Sequence, residues 1–147
     1  MKFICDQMLG TLAKWLRIMG YDTLYGDGDD SELIKMAVDE KRVLITRDRE
    51  LHNRYEDSLL VEGTELENQI RSVMDSLDLR INMENALSRC TVCNTPVRKI
   101  RKDEVKGKVP PHAYETHDEF WICPDCKRIY WRGTHWENMK NFMEKLK

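Results

Sequence analysis

The sequence predicts an α/β fold in which a mostly parallel sheet is flanked by helices and is followed by a small zinc-ribbon unit. Over residues 1–84, short β-prone runs alternate with amphipathic helical segments, which is typical of a parallel sheet. From about residue 85 this periodicity fades, and two Cys-x-x-Cys pairs bracket a stretch rich in Lys, Arg, Val and Pro. We therefore expect two domains, residues 1–84 and residues 85–147.

The first two strand and helix pairs follow directly from the apolar pattern. Residues 3–5 form an apolar run, and apolar residues then recur at helical spacing up to Met19, with Gly20 placed as a C-terminal cap. A second β-prone run ends at Tyr25, and the next amphipathic helix has Asp29 or Asp30 as its cap. The order is strand, helix, strand, helix.

The pattern continues to the end of the first unit. Residues 43–46 form a third β-rich run, a short helical turn follows, and residues 58–61 form a fourth strand. Thr64 and Glu67 predict a capping box ahead of another amphipathic helix. A similar Thr134 and Glu137 pair predicts the start of a terminal helix.

Composition and charge narrow the class of protein. The chain has 147 residues, 41% hydrophobic and 34% charged, and no run approaches the roughly 18 apolar residues of a membrane span. The charged Asp6 interrupts the N-terminal apolar run too soon for this run to be the apolar region of a secretory signal peptide. We therefore expect a cytoplasmic protein. Residues 1–84 hold 11 Lys and Arg against 18 Asp and Glu, whereas residues 85–147 hold 13 against 8. An acidic half thus precedes a basic one.

Carboxylates follow three of the predicted strands. Asp6 follows the first strand, Asp27, Asp29 and Asp30 follow the second, and Asp48 follows the third. Because the carboxyl ends of parallel strands meet at one sheet edge, these side chains should converge, and a hard cation such as Mg²⁺ or Mn²⁺ would offset their repulsion. Asp is also a favoured helix cap, which would explain any one of these positions without a metal.

The cysteines predict a second metal. Cys90, Cys93, Cys123 and Cys126 form two Cys-x-x-Cys turns that could supply tetrahedral sulfur ligation to Zn²⁺. A redox dithiol would need only one pair. The remaining Cys5 lies in a predicted strand and is expected to be a buried apolar residue.

Basic and aromatic residues accompany the cysteines. Lys99, Arg101 and Lys102 are candidates for binding RNA, because basic side chains with aromatics nearby can follow a phosphate backbone and stack unpaired bases. The alternative is that the lysines are solvated and the aromatics pack the ribbon against the terminal helix. His112, His117 and His135 are expected to have surface or packing roles, because the cysteine set is already complete.

Several motifs carry a resemblance to a known family. In the first half they are Asp6-x-Met-Leu-Gly-x-Leu-Ala-Lys-Trp-Leu-Arg-x-Met-Gly-Tyr-Asp, then Asp29-Asp30-x-Glu-Leu, then Leu-Ile-Thr46-Arg-Asp48-Arg. In the second half they are Arg-Cys90-x-x-Cys93-Asn, Val-Pro110-Pro, Phe-Trp-x-Cys123-Pro-x-Cys126 and Tyr-Trp-Arg-Gly-Thr-His-Trp136. Together they resemble the Mut-seven C-terminal RNase-like domain family, a branch of the PIN-like nucleases.

The resemblance implies a PIN-like α/β domain with a metal-dependent RNase centre, followed by a zinc ribbon. By motif, Asp6 matches the first catalytic aspartate, Asp30 matches the acidic residue that opens the second helix, and Thr46 with Asp48 matches a Ser/Thr-x-Asp signature. PIN-like nucleases generally present four acidic positions. Only three are placed by motif here, and Asp29, Asp27 and Glu50 are possible supporting residues.

These observations favour a metal-dependent ribonuclease that hydrolyses RNA phosphodiester bonds with a carboxylate-bound Mg or Mn ion and captures RNA with a basic, zinc-containing ribbon. The alternative from another class is a non-catalytic RNA-binding or ribonucleoprotein adaptor with the same fold. A third possibility is a DNA-directed nuclease, because a metal-carboxylate centre does not itself distinguish the sugars.

Overall fold

The computed structural model describes all residues from 1 to 147 as an α/β fold with two sheets. The first part contains strands β1 (Lys2–Cys5), β2 (Asp22–Tyr25), β3 (Val43–Thr46) and β4 (Ser58–Leu60), and helices α1 (Gly10–Ile18), α2 (Asp30–Glu40), α3 (Arg49–Arg54) and α4 (Leu66–Leu77). The second part contains β5 (Arg98–Ile100), α5 (Pro111–Thr116), β6 (Phe120–Ile122), β7 (Ile129–Tyr130) and α6 (Thr134–Leu146). No helix has the length and apolar character needed to cross a membrane.

The first sheet is wholly parallel, with strand order β2-β1-β3-β4. Side chains of the central strand β1 alternate between its faces: Phe3 and Cys5 enter a core beneath α1 and α4, whereas Ile4 enters a second core with Leu33 of α2 and Leu51 of α3. Both faces of β1 are therefore covered, as expected for a strand inside a parallel sheet. The predicted order of strands and helices is confirmed.

Helix ends match the sequence prediction in part. Asp29 is the cap of α2, since its carboxylate accepts a hydrogen bond from the Glu32 N–H at 2.9 Å. Gly20 has a φ of 98°, and its N–H donates to the Arg17 carbonyl at 2.9 Å as α1 ends. A side chain at Gly20 would also collide with the Asn85 carbonyl at 2.5 Å, so glycine is required there.

Both predicted capping boxes are wrong. Helix α4 has Glu65, not Thr64, as its N-cap residue, and the Glu65 side chain makes no capping hydrogen bond. Helix α6 has Gly133 as its N-cap residue, which has no side chain to cap the helix. Glu67 instead forms ion pairs with Arg71 of the next turn and with Lys145 of α6. These contacts come from tertiary packing, which a local motif does not register.

The second sheet is a small antiparallel one with strand order β5-β6-β7. It has its own core of five buried residues, Ile100, Val105, Val109, Phe120 and Ile122. A core of this size gives little apolar burial, so a metal-bound cysteine cluster would contribute much to the stability of this part.

The terminal helix α6 packs on the first sheet's core and not on the ribbon's core. Trp136, Met139, Met143 and Leu146 join the core formed by β1, α1 and α4. The ring of Phe142 also lies 4.6 Å from that of Trp15 on α1. The division at residues 84 and 85 stays a prediction, because α6 and the first part of the chain share one core.

Candidate active site and metal centre

A cleft of about 100 Å³ opens at the carboxyl ends of β1 and β3. Asp6, Asp30 and Asp48 all line it, together with Gln7, Met8, Gly28, Leu33 and Leu51. The position follows from topology: β1 and β3 are adjacent and parallel, so the residues after both strands meet at the same sheet edge.

Thr46 joins two of the aspartates. Its hydroxyl, fully buried at the end of β3, donates to Asp6 Oδ2 at 2.5 Å, while its oxygen accepts the Asp48 N–H at 2.9 Å. Asp6, which is only 6% exposed, also accepts the Met8 N–H on Oδ1 at 3.0 Å. Thr46 thus fixes the carboxylate of Asp6 and the backbone of Asp48 relative to each other.

Asp48 presents one free carboxylate oxygen. Its Oδ1 accepts the N–H groups of Glu50 at 2.8 Å and Leu51 at 3.3 Å, and so caps α3. Its Oδ2 has no hydrogen-bond partner within the protein. Asp48 therefore caps α3 with one carboxylate oxygen and leaves the other free to bind a ligand in the cleft.

Asp30 reaches the cleft from the first turn of α2. Its carboxylate lies 3.6 Å from the Arg54 guanidinium of α3, with both side chains nearly half exposed. The neighbouring Asp29 is used as the cap of α2, and neither Asp29 nor Asp27 lines the cleft. A supporting role for Asp29 or Asp27 therefore stays a prediction.

The carboxylate donors suit a hard divalent cation. Asp6, Asp30 and Asp48 offer only oxygen ligands, as Mg²⁺ and Mn²⁺ prefer, and ordinary hydrogen bonding leaves lone pairs free on each of them. The three carboxylates do not form a cluster as tight as that of the cysteines described next.

The two Cys-x-x-Cys turns have the same backbone design. In the first, the Asn94 N–H donates to the Cys90 carbonyl, and in the second the Lys127 N–H donates to the Cys123 carbonyl, both at 2.9 Å. Asn94 and Lys127 have φ values of 66° and 65°, in the left-handed region. Each turn thereby directs its two sulfurs to the same side.

The four sulfurs form one cluster that could hold a metal. All lie within 4.8 Å of one another, and Cys90 Sγ is 3.7 Å from Cys126 Sγ. A tetrahedral zinc with Zn–S bonds of about 2.3 Å separates its sulfurs by about 3.8 Å, so the donor set and spacing fit Zn²⁺. All five cysteines are free of disulfides.

The thiols of the cluster differ in acidity. Burial acts to raise the pKa of Cys90, but hydrogen bonds from the Tyr130 hydroxyl and from backbone N–H groups outweigh it and lower the pKa to about 7. Hydrogen bonding to Cys126, burial and the nearby Cys90 charge raise the pKa of Cys93 to about 12. The Cys90 thiolate therefore forms readily, and its negative charge opposes ionisation of the neighbouring thiols. A bound divalent cation would relieve this repulsion.

Cys5 lies outside the cluster. It is buried in β1 and belongs to the core, and burial raises the pKa of its thiol.

Comparison of the sequence with models of protein families tests the resemblance that the motifs indicate. The model of the Mut7-C RNAse domain matches residues 1–143. The chain belongs to the Mut7-C RNAse domain family. A human protein named exonuclease mut-7 homolog is 27% identical over 114 residues, which cover 71% of this chain and 13% of that protein. No solved structure matches the sequence.

In this Mut7-C chain, the basic residues singled out from the sequence are held in ion pairs. Lys99 lies 3.1 Å from Glu119, Lys102 lies 3.3 Å from Asp118, and Arg101 lies 3.4 Å from Asp103. Exposed pairs of this kind are weak and exchange easily. Their positive charges are therefore balanced locally by neighbouring carboxylates.

Sequence reasoning missed the contacts that attach the first cysteine turn to the first sheet. The Asn94 side chain accepts the Thr23 N–H at 2.9 Å and donates to Asp22 Oδ1 at 2.7 Å. Arg17 of α1 donates to the carbonyls of Thr91 and Val92 at 3.0 and 3.1 Å. The only available signal was the position of Asn directly after Cys93, where a left-handed residue is needed.

Proposed function

We propose that this chain is a metal-dependent ribonuclease whose reaction centre is the cleft lined by Asp6, Asp30 and Asp48. The observation that carries the proposal is their shared position at the carboxyl ends of adjacent parallel strands, with Thr46 bonded to two of them. Membership of an RNase-domain family and the name of the human relative support the same reaction class.

Asp6, Asp30 and Asp48 would hold Mg²⁺ or Mn²⁺. When bound, such an ion supplies Lewis-acid polarisation of a phosphoryl oxygen and a more acidic water. The free Oδ2 of Asp48 and the partly exposed carboxylate of Asp30 are the groups best placed to exchange partners as substrate enters.

The chain's own residues position these groups. The Thr46 hydroxyl keeps the buried Asp6 carboxylate in one orientation, so this carboxylate does not need to reorient when substrate arrives. Arg54 holds Asp30 toward α3 and can offer its guanidinium to a phosphate. Gln7 is exposed at the rim of the cleft and can hydrogen-bond the sugar or base of a bound nucleotide.

We further propose that residues 1–84 form the nuclease unit and that residues 85–147 form a zinc ribbon whose last helix completes the nuclease core. Zinc on Cys90, Cys93, Cys123 and Cys126 is supported by the sulfur spacing. RNA is the partner, and the surplus of positive charge in the second unit supports its capture.

The test is cleavage of a labelled, unstructured RNA and of the matching DNA by the zinc-loaded chain with Mg²⁺, with Mn²⁺ or with no added ion. We expect RNA cleavage only with added ion. Asp6→Asn and Asp48→Asn should each lose at least about a hundredfold in rate, as is common when a preorganised charged group is removed from a catalytic site.

Asp29→Asn is the matched control for those variants. It removes the same charge from the same edge of the sheet, but Asn remains a good cap and Asp29 does not line the cleft. Its cleavage rate should equal that of the parent. Equal cleavage by Asp6→Asn and Asp48→Asn would instead show that these aspartates are only caps.

A non-catalytic RNA-binding adaptor is the second candidate. It is favoured by the commitment of the carboxylates within the protein, because Asp6 and Asp48 cap local turns and Asp30 pairs with Arg54. RNA binding without cleavage under either ion would select this function.

A further inference from the structure

A second cavity lies where α1, the cysteine turns and α6 meet. It has a volume of about 490 Å³ and is called the aromatic groove here. Its walls include Lys14 of α1, Arg128, Tyr130, Trp131 and His135. A smaller cavity of about 160 Å³, lined by Trp121 and Arg132, shares Tyr130 and Trp131 with it.

The charged residues that line the aromatic groove are all basic. None of its 13 lining residues is Asp or Glu, although the chain as a whole has 26 acidic residues. Lys14 and Arg128 form no ion pair, in contrast to Lys99, Arg101 and Lys102. An uncompensated positive groove is complementary to a polyanion.

The aromatic residues give the groove a second property. Trp131 is half-buried, packs one side on Phe120 at 6.2 Å between ring centroids, and contributes to the walls of both cavities. At the border with the smaller cavity, the guanidinium of Arg132 lies 5.6 Å from the ring centroid of Trp136, which lines the groove. Cations beside a partly exposed aromatic face are the elements that bind single-stranded nucleic acid, the phosphates by charge and the bases by stacking.

Helix α1 connects the groove with the cleft. The segment that directly precedes α1 lines the cleft through Gln7 and Met8, and α1 itself lines the groove through Lys14 and Ile18. From Gly10 to Ile18 the helix is about 12 Å long at 1.5 Å per residue. That length corresponds to about four nucleotides at the 3.4 Å spacing of a stacked strand.

We infer that the aromatic groove is a second binding subsite for single-stranded RNA, which holds the strand a few nucleotides from the bond placed in the cleft. The inference rests on the proposed ribonuclease function and adds to it a site and a minimum substrate length. Lys14 and Arg128 contact phosphates, and Trp131 stacks on a base.

Binding is tested on a fluorescein-labelled, unstructured 12-nucleotide RNA by fluorescence anisotropy, with zinc retained and without added Mg²⁺ or Mn²⁺. Lys14→Ala with Arg128→Ala should weaken affinity about tenfold at low salt and reduce the slope of log affinity against log salt by about 1.4, since each phosphate contact on a single strand contributes about 0.7. Trp131→Leu should weaken affinity about tenfold with an unchanged salt slope, because stacking is not electrostatic.

Two controls separate binding from folding and from net charge. Lys140→Ala removes an exposed, unpaired lysine of α6 outside the groove and should bind like the parent. Because Trp131 also packs on the ribbon core, Trp131→Phe is compared with Trp131→Leu, and recovery of most of the affinity by Phe supports stacking. Equal losses in Lys140→Ala and the Lys14 and Arg128 double variant would overturn the inference.

Substrate length separates this inference from the proposed function. With the catalytic ion added, the groove variants should cleave the 12-nucleotide RNA about tenfold less efficiently than the parent but a 3-nucleotide RNA equally well. Parent and groove variants that bind and cleave the 12-nucleotide RNA alike would refute the subsite and leave the nuclease intact. If the parent chain cleaves neither RNA but the groove variants bind the 12-nucleotide RNA more weakly than the parent does, the RNA-binding role of the groove is supported and the nuclease function is refuted.

Discussion

Replacing Asn94 by alanine is expected to destabilise the whole chain, because this side chain connects the first cysteine turn to the edge of the first sheet. Asn94 is 6% exposed and accepts the N–H of Thr23, which is fully buried. Removal of the acceptor leaves that N–H unsatisfied at a cost of about 1–3 kcal/mol, and loss of the bond to Asp22 adds about 1 kcal/mol. Alanine at a φ of 66° adds about 1 kcal/mol more.

The total is about 3–5 kcal/mol, a large part of the stability of a domain of this size. At about 2–4 °C per kcal/mol, the Tm should fall by roughly 6–20 °C. The assay is thermal and urea unfolding of the zinc-saturated chain in reducing buffer, followed by tryptophan fluorescence. Asn94→Gly should be about 1 kcal/mol less harmful than Asn94→Ala, since glycine accepts the left-handed backbone.

The second cysteine turn supplies a matched control. Lys127 occupies the position of Asn94, with a φ of 65°, but it is exposed and its side chain only donates to the Pro124 carbonyl of its own turn. Lys127→Ala should therefore cost 1 kcal/mol or less. Equal destabilisation by Asn94→Ala and Lys127→Ala would show that the effect arises within the turn, and the reasoning about the bonds from Asn94 to the first sheet would be refuted.

Three further outcomes are expected. Cys93→Ser should lower the zinc content from one per chain and reduce hydrogen-exchange protection first in the ribbon strands; unchanged zinc and protection would contradict the assignment. Replacing Lys99, Arg101 and Lys102 together by Gln should weaken RNA affinity and flatten its salt dependence, whereas unchanged affinity at low salt would assign these charges to solubility. The pKa of Asp22, although burial acts to raise it, is lowered on balance by Arg42 and Asn94, so its stabilising contribution is present above about pH 4 and is lost as the pH falls through the folded-state value. Asp22→Asn should remove this part of the acid dependence of urea unfolding, and an unaltered pH profile would refute it.

The strands and most helices could be predicted because their cause is local. Residues 43–46 are β-rich and continuous, and the structure places β3 on the same four residues. The cysteine cluster could be predicted from spacing, since each Cys-x-x-Cys turn fixes its own backbone. The shared cleft of Asp6 and Asp48 follows from one rule about parallel strands, although their catalytic role stays a prediction.

The rest depends on contacts between residues far apart in sequence. Arg17 bonds to the carbonyls of Thr91 and Val92, and Asn94 bonds to Thr23, across separations of more than 70 residues. The amphipathic face of α6 is visible in the sequence, but its partner is not, because an apolar stripe specifies burial and not the surface that provides it. The same limit explains the wrong capping boxes and the groove between α1 and α6.

The position of α6 has a consequence for the order in which the protein is synthesised. Its residues Trp136 and Met143 complete the core beneath β1, yet they are synthesised only after all four clustered cysteines. At about 5–20 residues per second, the ~60 residues from position 85 to the end of α6 take roughly 3–12 s to translate. Throughout that interval the nascent sheet exposes the apolar face that α6 will cover, so a chain released at residue 84 should require chaperones or aggregate.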